Sequence, residues 1–175
     1  MSDSSAPCDL TRIWPFRPWL HHDAGVLCAP TAFGKTVTAA AIIARRGVNT
    51  LVLVHRTELL KQWQERLQAF LAMDVGASKG VVGTIGGGKA KPTGRIDIAV
   101  MQSLSRQGEV NALVENYGQV IDDECHHVGA ASFDAILKRT KAKFVLGLLR
   151  GPKLRRQAVS RCAVRGVSSY RPLRR

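Results

Sequence analysis

The 175-residue sequence predicts an α/β fold in three layers, a mostly parallel sheet covered by helices on both faces. Three observations carry this. Short runs rich in Val, Ile and Leu recur along the chain: "GVLC", "TLVLVH", "IDIAVM", "GQVI" and "FVLGLL". Helical patterns separate several of them, and near-continuous apolar strands alternating with helices mark a sheet buried on both sides. A Gly-Lys-Thr turn also closes the first run and opens the first helical pattern.

Residues 1–22 contain three prolines, Pro7, Pro15 and Pro18, and show no period, so they read as an irregular N-terminal segment. The domain proper is expected over residues 23–149. Its first helix, "KTVTAAAIIARR", begins at the glycine-lysine turn and stops at Gly47. The second, "ELLKQWQERLQAFL", carries Leu59, Leu60, Trp63, Leu67, Phe70 and Leu71 at helical spacing, with Thr57 as N-cap and Glu58 in the first turn. "VNALVENY" and "SFDAILKR" are shorter helical candidates.

Apolar residues make up 45% of the chain, enough to bury a core. No apolar run approaches the roughly 18 residues of a membrane span. The first ten residues lack the basic-then-apolar order of a secretory leader. The four cysteines, Cys8, Cys28, Cys125 and Cys162, are scattered without a C-x-x-C pair. Together these features point to a reducing, cytoplasmic setting without a zinc site.

The net charge of +13 suggests a nucleic-acid partner, but its distribution is uneven. Nine of the 26 basic residues and none of the 13 acidic ones lie in residues 150–175, which leaves the first 149 residues at only +4. The tail fits either of two readings. It is a shifted reading frame beginning near Leu148, the preferred one from its Arg-rich composition, or it is a basic, disordered segment that binds nucleic acid.

The stretch "APTAFGKT", Ala29, Pro30, Thr31, Ala32, Phe33, Gly34, Lys35 and Thr36, has the spacing of a phosphate-binding P-loop, with Ala in place of the first Gly. Its strand–turn–helix context points backbone N–H groups and a helix N-terminus at a phosphate. Lys35 is placed to reach the β- and γ-phosphates of ATP and Thr36 to hold Mg²⁺. A second match, "GTIGGGKA", ends in Ala90 where a hydroxyl is needed, and Pro92 and Gly94 prevent a helix behind it. It reads as a glycine hairpin.

"QVIDDECHH" brings acids to the end of an apolar strand. Asp123 suits Mg²⁺, and Glu124 suits polarisation of an attacking water. The adjacent His126 and His127 diverge and read as structural rather than as zinc ligands.

"APTAFGKT" with "DECH" resembles motifs I and II of superfamily-two helicases of the DEAD/DEAH-box class. The likeness is greatest to the ATPase subunits of type III restriction enzymes and related DNA-dependent translocases. "LVLVHRTELLKQWQERL" resembles motif Ia, and "IAVMQSLSR" resembles the Gln-Ser-Leu segment before motif II. The resemblance covers residues 25–149. It implies a RecA-like P-loop NTPase domain, the first motor domain of an ATP- and Mg²⁺-dependent helicase. It also implies backbone contacts to one nucleic-acid strand, DNA rather than RNA, by Arg56, Thr57 and Gln102.

The sequence departs from that family in three places. Asp122 stands where an apolar residue normally completes the strand, an unfavourable burial unless its carboxylate reaches solvent. After "FVLGL" the threonine-alanine-threonine-proline motif is missing, as is a second motor domain, which a second chain would then supply. The upstream adenine-binding segment is not recognisable in "TRIWPFRPWLHH", apart from the pair Arg17-Pro18. Two alternatives to a motor domain therefore stand. One is a non-catalytic nucleotide- or nucleic-acid-binding fragment. The other is a basic nucleic-acid-binding protein with an idle P-loop.

Overall fold

A computed structural model describes residues 22–29, 34–75, 80–106, 109–123 and 130–150. Apart from His22 and Arg150, which ends β9, the N-terminal segment and the tail lie outside the described residues, as does the His126–His127 pair. Seven strands form one sheet in the order β1-β9-β8-β2-β5-β3-β4. They are β1 (Ala24–Ala29), β2 (Thr50–Val54), β3 (Val82–Gly86), β4 (Lys89–Lys91), β5 (Ile96–Val100), β8 (Gln119–Asp123) and β9 (Phe144–Arg150). Every pairing is parallel except the β3–β4 hairpin. Two short strands, β6 (Ser105–Arg106) and β7 (Glu109–Val110), pair separately.

The helices are α1 (Lys35–Arg46), α2 (Thr57–Val75), α3 (Met101–Leu104) and α4 (Ala130–Arg139), with a 3-10 helix at Ala112–Asn116. α1 matches the sequence expectation at both ends. Gly47 adopts φ 61°, and its N–H bonds to the carbonyl of Ile43 at 3.0 Å, a left-handed cap that glycine accommodates without strain. α2 begins at Thr57, which is therefore its first helical residue rather than its N-cap. Of "VNALVENY", Ala112–Asn116 form the 3-10 helix, while Val110 belongs to β7.

Strand alternation divides the core into two layers. Val52, Val54, Ile98, Val100, Ile121 and Leu148 meet α1 and α2 through Ala39, Ile42, Leu60, Trp63 and Leu67. Leu51, Leu53, Ala99, Val120 and Val145 face the opposite way, onto Val114, Tyr117, Phe133 and Ile136. The three predicted layers are present. The same alternation sends Asp123 to the α1–α2 side with Ile121, and Asp122 to the other side with Val120. Asp122 is fully buried, so its carboxylate does not take the solvent route.

The apolar runs did not include β3, whose Gly83 and Gly86 interrupt the pattern. Gly83 is there because of Asp97. A Cβ at residue 83 would lie 2.0 Å from Asp97 Oδ1. Asp97 is itself fully buried. Its carboxylate accepts from the Thr93 and Gly94 N–H groups at 2.8 Å each, from the Thr93 hydroxyl at 3.1 Å and from the Tyr117 hydroxyl at 2.6 Å. Burial, reinforced by Asp97, pushes the Tyr117 hydroxyl well above the usual phenol range, so it stays a neutral donor. This cluster ties β5 and the loop before it to Tyr117, between the 3-10 helix and β8, at the amino edge of the sheet. The carboxyl edge is left for ligands. Among the described residues, no helix is long and apolar enough to cross a membrane.

Candidate functional site at the carboxyl edge

β1, β8, β2 and β5 are parallel, so their C-terminal ends line one edge, where open α/β sheets bind ligands. Two groups of predicted residues gather there, side by side.

The first group comes from β1 and β8. The backbone of β1 ends at Ala29; Pro30, Thr31, Ala32 and Phe33 lie outside the described residues. The chain is described again at Gly34, which adopts φ 76°, a left-handed conformation that favours glycine. Lys35 and Thr36 follow as the first two residues of α1 and are half-buried. The Gly34 carbonyl accepts from the Thr38 N–H at 3.0 Å and from the Thr38 hydroxyl at 3.3 Å, which fixes the helix start.

Asp123 lies on β8, across β9 from β1. Leu27 and Asp123 both stand in register with Leu148, so they are two strand spacings apart, about 10 Å. Glu124 lies outside the described residues.

α2 supplies a second link between these residues. The Trp63 indole N–H donates to Asp123 Oδ2 at 2.6 Å. Arg66 Nη1 donates to Thr36 Oγ1 at 3.2 Å. Residues three apart on a helix are neighbours on one face. Thr36 and Asp123 therefore flank the same turn of α2. A threonine hydroxyl and a carboxylate are hard oxygen donors of the kind Mg²⁺ prefers, so the residues present fit that ion. The motifs did not reveal Trp63 and Arg66. The core spacing of Trp63 accounted for its ring, but a buried indole also needs an acceptor for its N–H, and that was the available signal.

The second group lies one and two strands further along the edge. Val54 and Val100 pair in register between β2 and β5. Arg56, in a bend, and Gln102, in α3, each stand two residues beyond that pair. With His55, Thr57, Glu58 and Val100 they line an open hollow of about 490 Å³. Arg56, Thr57 and Gln102 are all exposed. The structure thus places all three candidate residues on one surface.

The hairpin of "GTIGGGKA" borders this surface. Gly87 turns at φ 62°, and a Cβ there would lie 3.1 Å from Thr57 Cγ2. The segment is a β-hairpin, as its residues predict, with no helix behind it.

Residues 12–149 match the family described as "Type III restriction enzyme, res subunit". The chain is 28% identical over 137 residues to the DNA 3'-5' translocase XPB2 of Sulfurisphaera tokodaii, a match covering 78% of this chain and 29% of that protein. In fold it resembles the hypothetical ATP-dependent RNA helicase from Sulfolobus tokodaii, with a TM-score of 0.64 at 21% identity over 86% of this chain and 49% of the other. It also resembles the UvsW helicase from bacteriophage T4, with a TM-score of 0.62 at 20% identity over 79% and 50% of the two chains. The chain spans under a third of the length of the curated relative. It belongs to the type III restriction enzyme res-subunit family and has the RecA-like fold of a helicase-type, superfamily-two motor domain.

Proposed function

We propose that this chain binds Mg·ATP at Gly34–Thr36 and Asp123 and that its motor cycle hydrolyses ATP while gripping one DNA strand at Arg56, Thr57 and Gln102. The observation that carries this is that one turn of α2 donates a hydrogen bond to Thr36, at the start of α1, and another to Asp123, at the end of β8. Gly34 and the first N–H groups of α1 receive the phosphates, and Lys35 adds a cation to them. Thr36 and Asp123 hold the metal. Magnesium, when bound, neutralises charge on the β- and γ-phosphates. Glu124, directly after Asp123, takes the role of orienting and polarising the water.

DNA is favoured over RNA because several relatives matched in sequence are named DNA translocases or helicases, against one named an RNA helicase. The complete motor activity is proposed for an assembly with a second motor domain, in the same polypeptide or in a partner, since the curated relative is more than three times the length of the shared stretch.

Binding of a fluorescent ATP analogue with Mg²⁺ tests the reading. Lys35→Ala is expected to abolish measurable binding, and Thr36→Ala to remove its magnesium dependence. Lys89→Ala, in the hairpin, should leave both unchanged. Equal affinity in wild type and all three variants would exclude the site.

A further inference from the structure

Trp63 and Arg66 each donate a hydrogen bond to one of the proposed metal ligands. They are the two donors that α2 aims at those ligands, and they differ in kind. Trp63 is neutral and 3% exposed, its ring held in the core layer with Leu60 and Leu67. Its 2.6 Å bond fixes the Asp123 carboxylate without neutralising it. Arg66 is exposed and carries a full positive charge to within 3.2 Å of the Thr36 hydroxyl oxygen. A guanidinium at that oxygen opposes a divalent cation at the same place, because like charges raise each other's energy.

We infer that Trp63 and Arg66 are positioning residues of opposite sign for the metal site. Trp63 holds Asp123 in the orientation the ion needs, and Arg66 occupies Thr36 until the ion displaces it. The inference rests on the nucleotide reading above. Groups that orient metal ligands commonly change metal affinity by about 10–100-fold when removed. The expected shifts run in opposite directions, which a general loss of structure cannot imitate.

The experiment uses the full 175-residue chain. Mn²⁺ replaces Mg²⁺, and its binding is followed by electron paramagnetic resonance in the presence of ADP. ADP binding in excess chelator is measured in parallel by calorimetry. Trp63→Phe is expected to weaken Mn²⁺ binding about 10-fold or more. Arg66→Gln is expected to tighten it severalfold, and Arg66→Lys, which keeps the charge, to restore the wild-type value. Metal-free ADP binding should be the same in all four proteins, which also shows that each has folded. Arg66 is exposed, so its two variants keep the question open to test even if Trp63→Phe fails to fold.

If wild type and variants bind ADP equally and Mn²⁺ affinity does not move, or moves the same way in the Trp63 and Arg66→Gln variants, the positioning roles are overturned and the nucleotide site stands. If the wild-type chain binds no ADP with or without metal, the nucleotide reading is overturned, and this inference with it.

Discussion

Arg56 and Gln102 stand together on the rim of one hollow, and salt can tell their roles apart. A cation that meets a phosphate releases a counterion, whereas an amide that meets the same backbone does not. Arg56→Ala should therefore weaken single-stranded DNA binding and reduce the slope of log affinity against log salt by about 0.7. Gln102→Ala should weaken binding with the slope retained. Titrations of a labelled oligothymidine at several salt concentrations give both numbers. Identical slopes in wild type and Arg56→Ala would remove Arg56 from the contact. At the same scale, Tyr117 can be tested against Asp97. Tyr117→Phe removes one of four donors to a fully buried carboxylate and should destabilise the protein by about 1–3 kcal/mol near neutral pH. Tyr117 has a raised pKa in the folded state, so its contribution is fully present below its unfolded value of about 10 and is lost as pH rises beyond it. Denaturant titrations should show the gap between wild type and Tyr117→Phe narrowing above pH ~10. A constant gap across that range would show that the hydroxyl does not keep its proton by burial.

Among the elements, β3 and α1 show why some of the fold was legible in the sequence and some was not. α1 was readable to the residue because glycine stands at both ends and Ala and Ile repeat at helical spacing between them. β3 was not, because its two glycines answer to distant partners rather than to a local period. Gly83 leaves room for Asp97, fourteen residues on, and Gly86 would place a Cβ 2.6 Å from Val100 Cγ2. The candidate site divides the same way. Spacing and strand context alone single out Lys35, Thr36 and Asp123 as candidates, and the register of β2 with β5 sets the candidates Arg56 and Gln102 at one edge. Trp63 and Arg66 were not found, since each makes its contact across 60 and 30 residues of chain. Two glycine substitutions test this account of β3. Gly83→Ala drives a methyl into Asp97 Oδ1 and the Lys91 carbonyl, at 2.0 and 2.6 Å, and should cost about 1–3 kcal/mol or more. Gly88→Ala meets no atom within 4 Å and bears only the strain of φ +80°, about 1–2 kcal/mol. A thermal melt in which Gly83→Ala is the milder of the two would contradict the close approach of β3 to Asp97.

On the scale of the whole molecule, α2 connects the two halves of the carboxyl edge. Its first residue, Thr57, lines the proposed DNA surface. Trp63 and Arg66 stand six and nine residues further along, about 9 and 13 Å down a rigid helix at 1.5 Å per residue. They touch the two proposed metal ligands. A DNA strand that draws the start of α2 toward itself must move both donors, and a metal ion that displaces Arg66 must act back on the same helix. Coupling of this kind is reciprocal and typically amounts to about 5–150-fold in affinity. Mg·ADP should therefore change oligothymidine affinity by about 5-fold or more, and oligothymidine should change Mg·ADP affinity by the same factor. Arg66→Gln should shrink both factors together, because it cuts the contact between α2 and Thr36 while leaving each binding surface in place. Fluorescence anisotropy of the oligonucleotide and calorimetry of the nucleotide give the two factors independently. If both are near one in wild type, the sites share an edge without communicating through α2. If wild type is coupled and Arg66→Gln equally so, the link runs through another element, and the parallel strands β2 and β8, hydrogen-bonded from Thr50 to Leu53, are the next path to test.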